Sequence, residues 1–260
     1  MSFANESKIN KLLRGWPAGT VYLSSWLADN GISSQLLNRH KKSNRIEAVG
    51  RGAVIRAGDK VDYLGGLYAI QTQGGLSIHV AGRTAMALLG RAHYVDLAAG
   101  RAVLMGSAKE RLPLWFKKKD WDVQIDYYAT AFLPPDMGMM TFWRHNYSVK
   151  VSSLPRAIME CLYLAPKHQK LIECYELMEG MNDLRPGAVQ ELLESCSSVK
   201  VKRLFLYLAE KFEHPWLEFF DFSKIDLGSG KRNLVKNGVY IEKYKITVPK
   251  EFERNEQPEI

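Results

Sequence analysis

The sequence predicts an α+β protein: an N-terminal winged helix-turn-helix domain over residues 1–91, then a mixed α/β domain over residues 92–260. Three observations predict it. Between residues 24 and 56 a short helix, a tight turn, a basic helix and a small hairpin follow one another. Cations concentrate in the first 60 residues. From residue 93 onward, alternating apolar segments come first and helical periodicities later.

Each N-terminal element has a local cause. Residues 8–14 read as a first helix, stopped by Gly15 and Pro17, and residues 20–23 as a small strand able to pair with the hairpin. Trp26, Leu27 and Ala28 belong to the next helix. Asn30 and Gly31 end it, because both tolerate the left-handed conformation that closes helices. Ser33 then caps a helix running to about Ser43. Residues 46–49 and 53–56 are the hairpin strands, with Gly50-Arg51-Gly52 as their turn. This order is that of a winged helix-turn-helix, which lays its second helix in the DNA major groove. Beyond it, residues 63–71 are helical, 76–80 extended, and 82–89 an alanine-rich helix stopped by Gly90.

Charge supports a nucleic-acid reader. Residues 1–60 hold ten Lys/Arg against four Asp/Glu, a net of +6 out of +8 for the chain, so the remaining 200 residues carry only +2. On the second helix, Leu36, Leu37 and His40 share the arc that packs inward, and His40 reads as a packing residue. Ser34, Gln35, Asn38, Arg39, Lys41 and Lys42 share the opposite arc. Gln, Asn, Ser and Arg read base edges, whereas Lys mostly neutralises phosphate. Arg45 and Arg51 flank or tip the wing, within reach of backbone or minor groove. The competing reading is an ordinary solvated helix face.

In the second half, residues 94–97 and 102–105 are expected strands around a turn at 98–101. Residues 114–119 are aromatic and basic, 123–133 are strand-rich, and 147–151 alternate. Pro155 opens a helix at a favoured first-turn position. Residues 169–178, 186–196 and 199–212 are three more helices, and 239–248 end the fold as a strand pair or an extended tail. Val201, Leu204, Phe205, Leu208 and Phe212 keep helical spacing, so that helix is largely buried. Lys200, Lys202 and Arg203 stand at its start, where the dipole disfavours cations. They read as solvated charge on a first turn, or as a surface kept basic for a partner or nucleic acid.

Several classes are excluded or disfavoured. An apolar fraction of 46% is enough for a core, which argues against disorder. No apolar run approaches the ~20 residues of a membrane span, and residues 1–10 lack the apolar stretch of a secretory signal. Cys161, Cys174 and Cys196 fit neither a disulfide framework nor a zinc site. Cys161 and Cys174 are expected as buried thiols, and a reducing cytoplasm is the expected compartment. Residues 227–232 suggest a phosphate-binding loop, but Ile225 and Arg232 occupy slots that need Gly and Ser/Thr, so a glycine turn with two exposed cations is expected. No Ser nucleophile elbow and no His pair at metal-ligand spacing occurs. Asp120, Asp122 and Asp126 would share one face of a strand, a geometry compatible with a metal, but solvated carboxylates are the expected reading. Trp115, Trp121 and Trp143 are expected in the core or at an interface. The chain is therefore expected to be no enzyme, with no metal and no cofactor.

Three stretches carry a family resemblance. One is the N-terminal block with Gly15-Trp16-Pro17-Ala18-Gly19-Thr20-Val21 and the winged helix. Another is Ser153-Leu154-Pro155-Arg156-Ala157-Ile158-Met159-Glu160. The third and most specific joins Val201-Lys202-Arg203-Leu204-Phe205-Leu206-Tyr207-Leu208-Ala209-Glu210, His214-Pro215-Trp216 and Ile225-Asp226-Leu227-Gly228-Ser229-Gly230-Lys231-Arg232. With these the chain resembles AbiEi-type antitoxins, the transcription-regulator halves of bacterial type IV abortive-infection toxin–antitoxin systems. The resemblance implies a winged helix that binds inverted repeats in its own promoter and represses the operon. It implies a C-terminal domain that neutralises a nucleotidyltransferase-like toxin encoded alongside, without a stable complex. Carried onto this sequence, double-stranded DNA contacts fall on Ser33, Ser34, Gln35, Asn38, Arg39, Lys41, Lys42, Arg45 and Arg51, and antitoxicity on Lys202, Arg203, Lys231 and Arg232. Two alternatives stay open: a ligand-responsive winged-helix regulator with a small-molecule-binding C-terminal domain, and a nucleic-acid-processing enzyme using Asp120, Asp122 and Asp126.

Overall fold

The computed structural model describes residues 12, 14–91 and 100–253. The strand expected over residues 94–97 and the domain boundary at Ala92 lie outside these residues, as does most of the helix expected over 8–14. Helices and antiparallel and mixed sheets make the α+β class that the patterning predicts.

The chain gathers into two compact units, each assembled from separated segments. The first takes the described residues within 1–80, 99–129 and 140–151. It begins with β1 (Tyr22–Leu23), α1 (Ser24–Asp29), α2 (Ser34–Lys42), β2 (Ile46–Gly50) and β3 (Ala53–Arg56). These form a three-stranded sheet in the order β1-β3-β2, all antiparallel. The helix α3 (Tyr63–Thr72) follows, with Asp62 accepting the amides of Leu64 and Gly65 at its N-terminus at 3.0 and 3.1 Å.

The same unit carries a five-stranded sheet in the order β6-β5-β4-β8-β7. Its strands are β4 (His79–Val80), β5 (Arg101–Ser107), β6 (Gln124–Thr130), β7 (Met139–Arg144) and β8 (Tyr147–Ser152). β4 sits at the centre, antiparallel to β5 (Val80 opposite Leu104) and parallel to β8 (Val80 opposite Val151). Residues 76–80, expected as one strand, pair only at their end. Ser77 is held instead by Glu110, which accepts its amide at 2.8 Å and its hydroxyl at 2.7 Å. Strand β7 is absent from the sequence reading, because both of its faces are largely exposed and no apolar alternation marks it. Trp143 on this edge is 71% exposed, so it is no core residue. Trp115, on α5 (Leu114–Lys118), and Trp121 are buried together with Phe116.

The second unit takes the described residues within 81–98, 130–139 and 152–260. It is built from α4 (Gly82–Leu88), α6 (Leu154–Leu164), α7 (Leu171–Glu179), α8 (Pro186–Ser195) and α9 (Val199–Lys211), with a small terminal sheet. Its packing centres on α6, nine of whose eleven residues are buried. The carboxylate of Glu160, fully buried, accepts from the amide of Gly82 at 2.8 Å, the hydroxyl of Ser152 at 2.7 Å and Nε of Arg156 at 2.8 Å. Nη1 of Arg156 donates to the carbonyls of Pro134 and Met137. Neither side chain of this pair has a fully buried polar atom without a hydrogen-bond partner, which is the condition for burying charge. Cys161, Cys174 and Cys196 are free thiols and all buried. Burial pushes Cys161 up to about 12, so it is no nucleophile at neutral pH.

The terminal sheet, β10-β11-β9, consists of β9 (Arg232–Asn233), β10 (Val239–Ile241) and β11 (Ile246–Val248). The expected strand pair is β10 with β11, and β9 adds a parallel partner.

Candidate nucleic-acid interface

The candidate interface is built on a small aromatic core. Trp16, Tyr22, Leu27, Ile32, Leu37, Ile46 and Val54 form one buried cluster, and Trp26, Leu36 and Tyr68 pack against it. Trp16 and Tyr22 lie with ring centroids 4.1 Å apart, and Trp26 meets Tyr22 edge-on at 5.3 Å. The indole N–H of Trp16 donates to the carbonyl of Thr20 at 3.1 Å, so the burial leaves no orphaned donor. Among the described residues this cluster fixes α1, α2 and the wing as one piece.

The turn between the helices follows from its sequence. Asn30 is the C-cap of α1 and Gly31 adopts a φ of 80°. Ser33 starts α2, its hydroxyl accepting the amide of Leu36 at 3.2 Å. The Ser33 side chain is thus spent on the helix. Leu37 and His40 are the buried residues of α2. Ser34, Gln35, Asn38, Arg39 and Lys42 are exposed, and Lys41 is half-buried. Arg39, Lys41 and Lys42 fall in the last turn, where cations interact favourably with the helix dipole.

The wing presents Arg51 and, at its base, Arg45, both exposed. Arg51 stands in the turn between β2 and β3. Arg56 is engaged by Asp59 at 3.3 Å. The exposed residues of α2 and the wing-tip arginine thus stand on elements that share one core. The residues that sequence patterning does not single out are the aromatic ones behind it. Trp16, Tyr22 and Trp26 have no shared periodicity, since they come from a loop, a strand and a helix.

His40 behaves as a packing residue. It is buried, and neither ring nitrogen has a hydrogen-bond partner among the described residues. Burial first, and then the charges of Arg45 and Arg39, hold its pKa below the ordinary 6.5.

The C-terminal cations are disposed differently from expectation. Both readings of Lys200, Lys202 and Arg203 placed them in solvent. Arg203 is 2% exposed and Lys202 5% exposed. Lys200 is half-buried and donates to the carbonyls of Tyr163 and Ala165, at 2.6 and 2.5 Å. These belong to the C-terminal end of α6, where a cation is favoured, and this offsets the unfavourable position at the start of α9. Burial lowers the pKa of Lys200. Arg203 reaches into the turn over residues 227–232. Its guanidinium donates to the carbonyls of Leu227 (2.7 Å), Gly228 (3.0 Å) and Gly230 (2.6 Å), and to that of Lys245 (3.3 Å). Gly228 has a φ of 60°, and a Cβ there would stand 2.8 Å from Val199, so the turn needs glycine on two grounds. Lys231 and Arg232 are exposed.

Asp120, Asp122 and Asp126 do not converge. Asp120 accepts the amide of Asp122 in a local turn, Asp122 has a φ of 59°, and Asp126 makes a double hydrogen bond with Arg101. Among the described residues no group of three His, Cys, Asp or Glu side chains is placed to hold a metal. A polar cleft of about 310 Å³ in the first unit is lined by Lys60, Asp62, Asp122, Arg144, His145 and Tyr147. The Arg144–Asp62 ion pair, 2.8 Å long, forms part of its wall. Among the described residues no helix is long and apolar enough to cross a membrane.

Comparison with known proteins agrees on both halves. Residues 99–249 match the family described as transcriptional regulator, AbiEi antitoxin, type IV TA system. Residues 5–97 match the AbiEi antitoxin N-terminal domain of transcriptional regulators. No curated protein matches the chain. Among solved structures, the crystal structure of the RV2827C protein from Mycobacterium tuberculosis is similar in fold. It has a TM-score of 0.54 and 12% identity, over 92% of this chain and 88% of the other.

Proposed function

Because the chain belongs to the AbiEi antitoxin family of type IV toxin–antitoxin transcriptional regulators, we propose that it represses its own operon and counters a nucleotidyltransferase-like toxin encoded alongside, and that it does so without catalysis of its own. In this reading residues 1–91 bind an inverted-repeat operator and residues 92–260 carry the antitoxic role. The observation that supports it is the exposed polar arc of α2, set beside the wing on a single aromatic core. Gln35 and Asn38 supply base choice, since amides pair bidentately with adenine. Arg39, Lys41, Lys42, Arg45 and Arg51 supply phosphate contacts and salt-dependent affinity. Ser34 adds a hydroxyl at the start of the helix, and Ser33 contributes through the cap it makes. An inverted repeat needs two winged helices, one per half-site.

For antitoxicity, Lys231 and Arg232 are the side chains that face solvent, and Arg203 acts by holding the turn that presents them. Lys202 acts from a buried position on α9.

The test is a titration of the whole protein on its own upstream DNA and on scrambled DNA, at several salt concentrations. Specific, salt-sensitive binding is expected, and Gln35→Ala is expected to cost ~1–3 kcal/mol at the matching base only. Equal affinity for both DNAs, or equal weakening of Gln35→Ala on all sequences, would sink the reading. Co-expression with the neighbouring toxin tests the antitoxic half: growth restored by the wild type and not by Lys231→Ala/Arg232→Ala supports it, and equal rescue by both refutes the assignment.

A further inference from the structure

The near-neutral charge of the chain after residue 60 is an average over unlike parts. Residues 224–250 hold seven Lys/Arg against two Asp/Glu, a net of +5, while everything outside this segment and residues 1–60 carries −3. The segment comprises the Arg203-held turn and the terminal sheet. Lys243 is paired with Glu210 and Lys224 with Asp221. Lys231, Arg232, Lys236 and Lys245 are exposed and without a carboxylate partner among the described residues.

The register of this sheet sorts its two faces. Ile246 and Val248 of β11, opposite Ile241 and Val239 of β10, are buried on the inner face. Tyr240 lies opposite Thr247, and Thr247 lies opposite Asn233 of β9, so these three share the outer face. The Thr247 hydroxyl and the Asn233 side chain are hydrogen-bonded at 3.0 Å and exposed. Lys231 lays its ammonium over the Tyr240 ring, 4.6 Å from the centroid. An aromatic ring on a sheet face, flanked by exposed cations, matches the chemistry of an unpaired nucleotide: the ring stacks on a base and the cations take the adjoining phosphates. Strands of two and three residues offer neither a helix nor a long ribbon for the major groove of a duplex.

We propose that the outer face of the terminal sheet, with Tyr240, Asn233 and Lys231 over the ring, binds single-stranded nucleic acid, separately from the duplex DNA taken by the winged helix; Arg232, opposite Ile246 on the edge strand β9 and exposed, adds its charge from the sheet edge and not from that face. Lys231 leaves the Tyr240 ring when a base takes its place, and its charge is then available to phosphate. Arg203 is a positioning residue: by drawing the carbonyls of residues 227, 228 and 230 inward it holds the turn from which Lys231 and Arg232 project.

The experiment is fluorescence anisotropy of the full chain with a labelled 15-nucleotide single strand, as DNA and as RNA, and with the matching DNA duplex, across a salt series. Lys231→Ala/Arg232→Ala is expected to weaken single-strand binding and to make the salt slope shallower by about 1.4, two contacts at about 0.7 each. Tyr240→Leu is expected to lose about tenfold, whereas Tyr240→Phe keeps the ring and the affinity. Lys42→Ala, in the winged helix, is expected to leave single-strand binding within about twofold, so this proposal and the operator reading fail independently. A preference for RNA would assign a 2′-hydroxyl contact; equal binding would assign base and phosphate alone, and either supports the proposal. No wild-type binding to either single strand, an unchanged double variant, equal affinities of Tyr240→Leu and Tyr240→Phe, or a loss in Lys42→Ala matching that of the double variant would overturn it.

Discussion

Replacing Arg203 by Met should test how a buried cation with no carboxylate partner among the described residues is stabilised. Its guanidinium makes four hydrogen bonds, all to main-chain carbonyls, and the side chain is 2% exposed. A charge-assisted hydrogen bond contributes ~1.5–3 kcal/mol net. The four do not add fully, because the turn is on the surface, with Ser229 and Gly230 exposed, and its carbonyls can regain water once the guanidinium is gone. A loss of about 3 kcal/mol is therefore expected, the worth of one to two such hydrogen bonds. For a chain of this size that corresponds to roughly 6–12 °C in Tm, at ~2–4 °C per kcal/mol. Arg203→Lys should fare only slightly better, since a single ammonium cannot span carbonyls that a planar fork reaches together. Urea denaturation gives the free energy, and amide exchange of the peptide covering residues 227–246 gives the local effect, with faster exchange expected in both variants. A loss below about 1 kcal/mol with unchanged exchange would refute the claim that Arg203 organises the turn.

Three other outcomes follow from the same kind of reasoning. Lys42→Ala should lower affinity for all duplex sequences alike and make the salt slope shallower by about 0.9; an unchanged slope would remove Lys42 from the phosphate contacts. Glu160→Gln should cost about 3–5 kcal/mol by thermal unfolding, because it leaves the buried Arg156 guanidinium without its counter-charge; a loss under about 1 kcal/mol would mean that the pair is not needed. His40 is kept neutral in the fold, with its pKa below 6.5, so the unfolded chain binds the proton first on acidification. Stability should thus fall as the pH drops from about 6.5 toward the folded value and level off below it. His40→Leu should flatten part of this dependence, the rest coming from His214, whose pKa burial also lowers; an identical pH profile in His40→Leu would show that His40 is not the titrating group.

The winged helix was legible because each of its features is local. A cap at Ser33, a stop at Asn30-Gly31 and a glycine turn at 50–52 act within a few residues, and the structure places α2 over Ser34–Lys42 between them. The helices of the second half were legible from periodicity for the same reason. Strand β7 was not, because an edge strand with both faces in solvent has no pattern to read. Nor was the burial of Arg203. A cation at the start of a helix resembles solvated charge until a loop 24 residues away supplies its acceptors. The cations of residues 224–250 were hidden by averaging over 200 residues, and the sheet that collects them depends on a register no spacing announces.

The position of β4 has a consequence during synthesis. This two-residue strand is the centre of the five-stranded sheet, yet its neighbours β5 and β8 follow it in the chain, β8 as late as Tyr147–Ser152. A ribosome adding ~5–20 residues per second needs roughly 4–14 s to make the stretch from β4 to the end of β8. Through that interval the nascent protein holds an apolar segment, Ile78 to Ala81, that in the finished fold is wholly enclosed. Winged helix and sheet centre leave the tunnel close together but are not completed together: the core of the first closes within residues 12–68, whereas β4 waits for Val151.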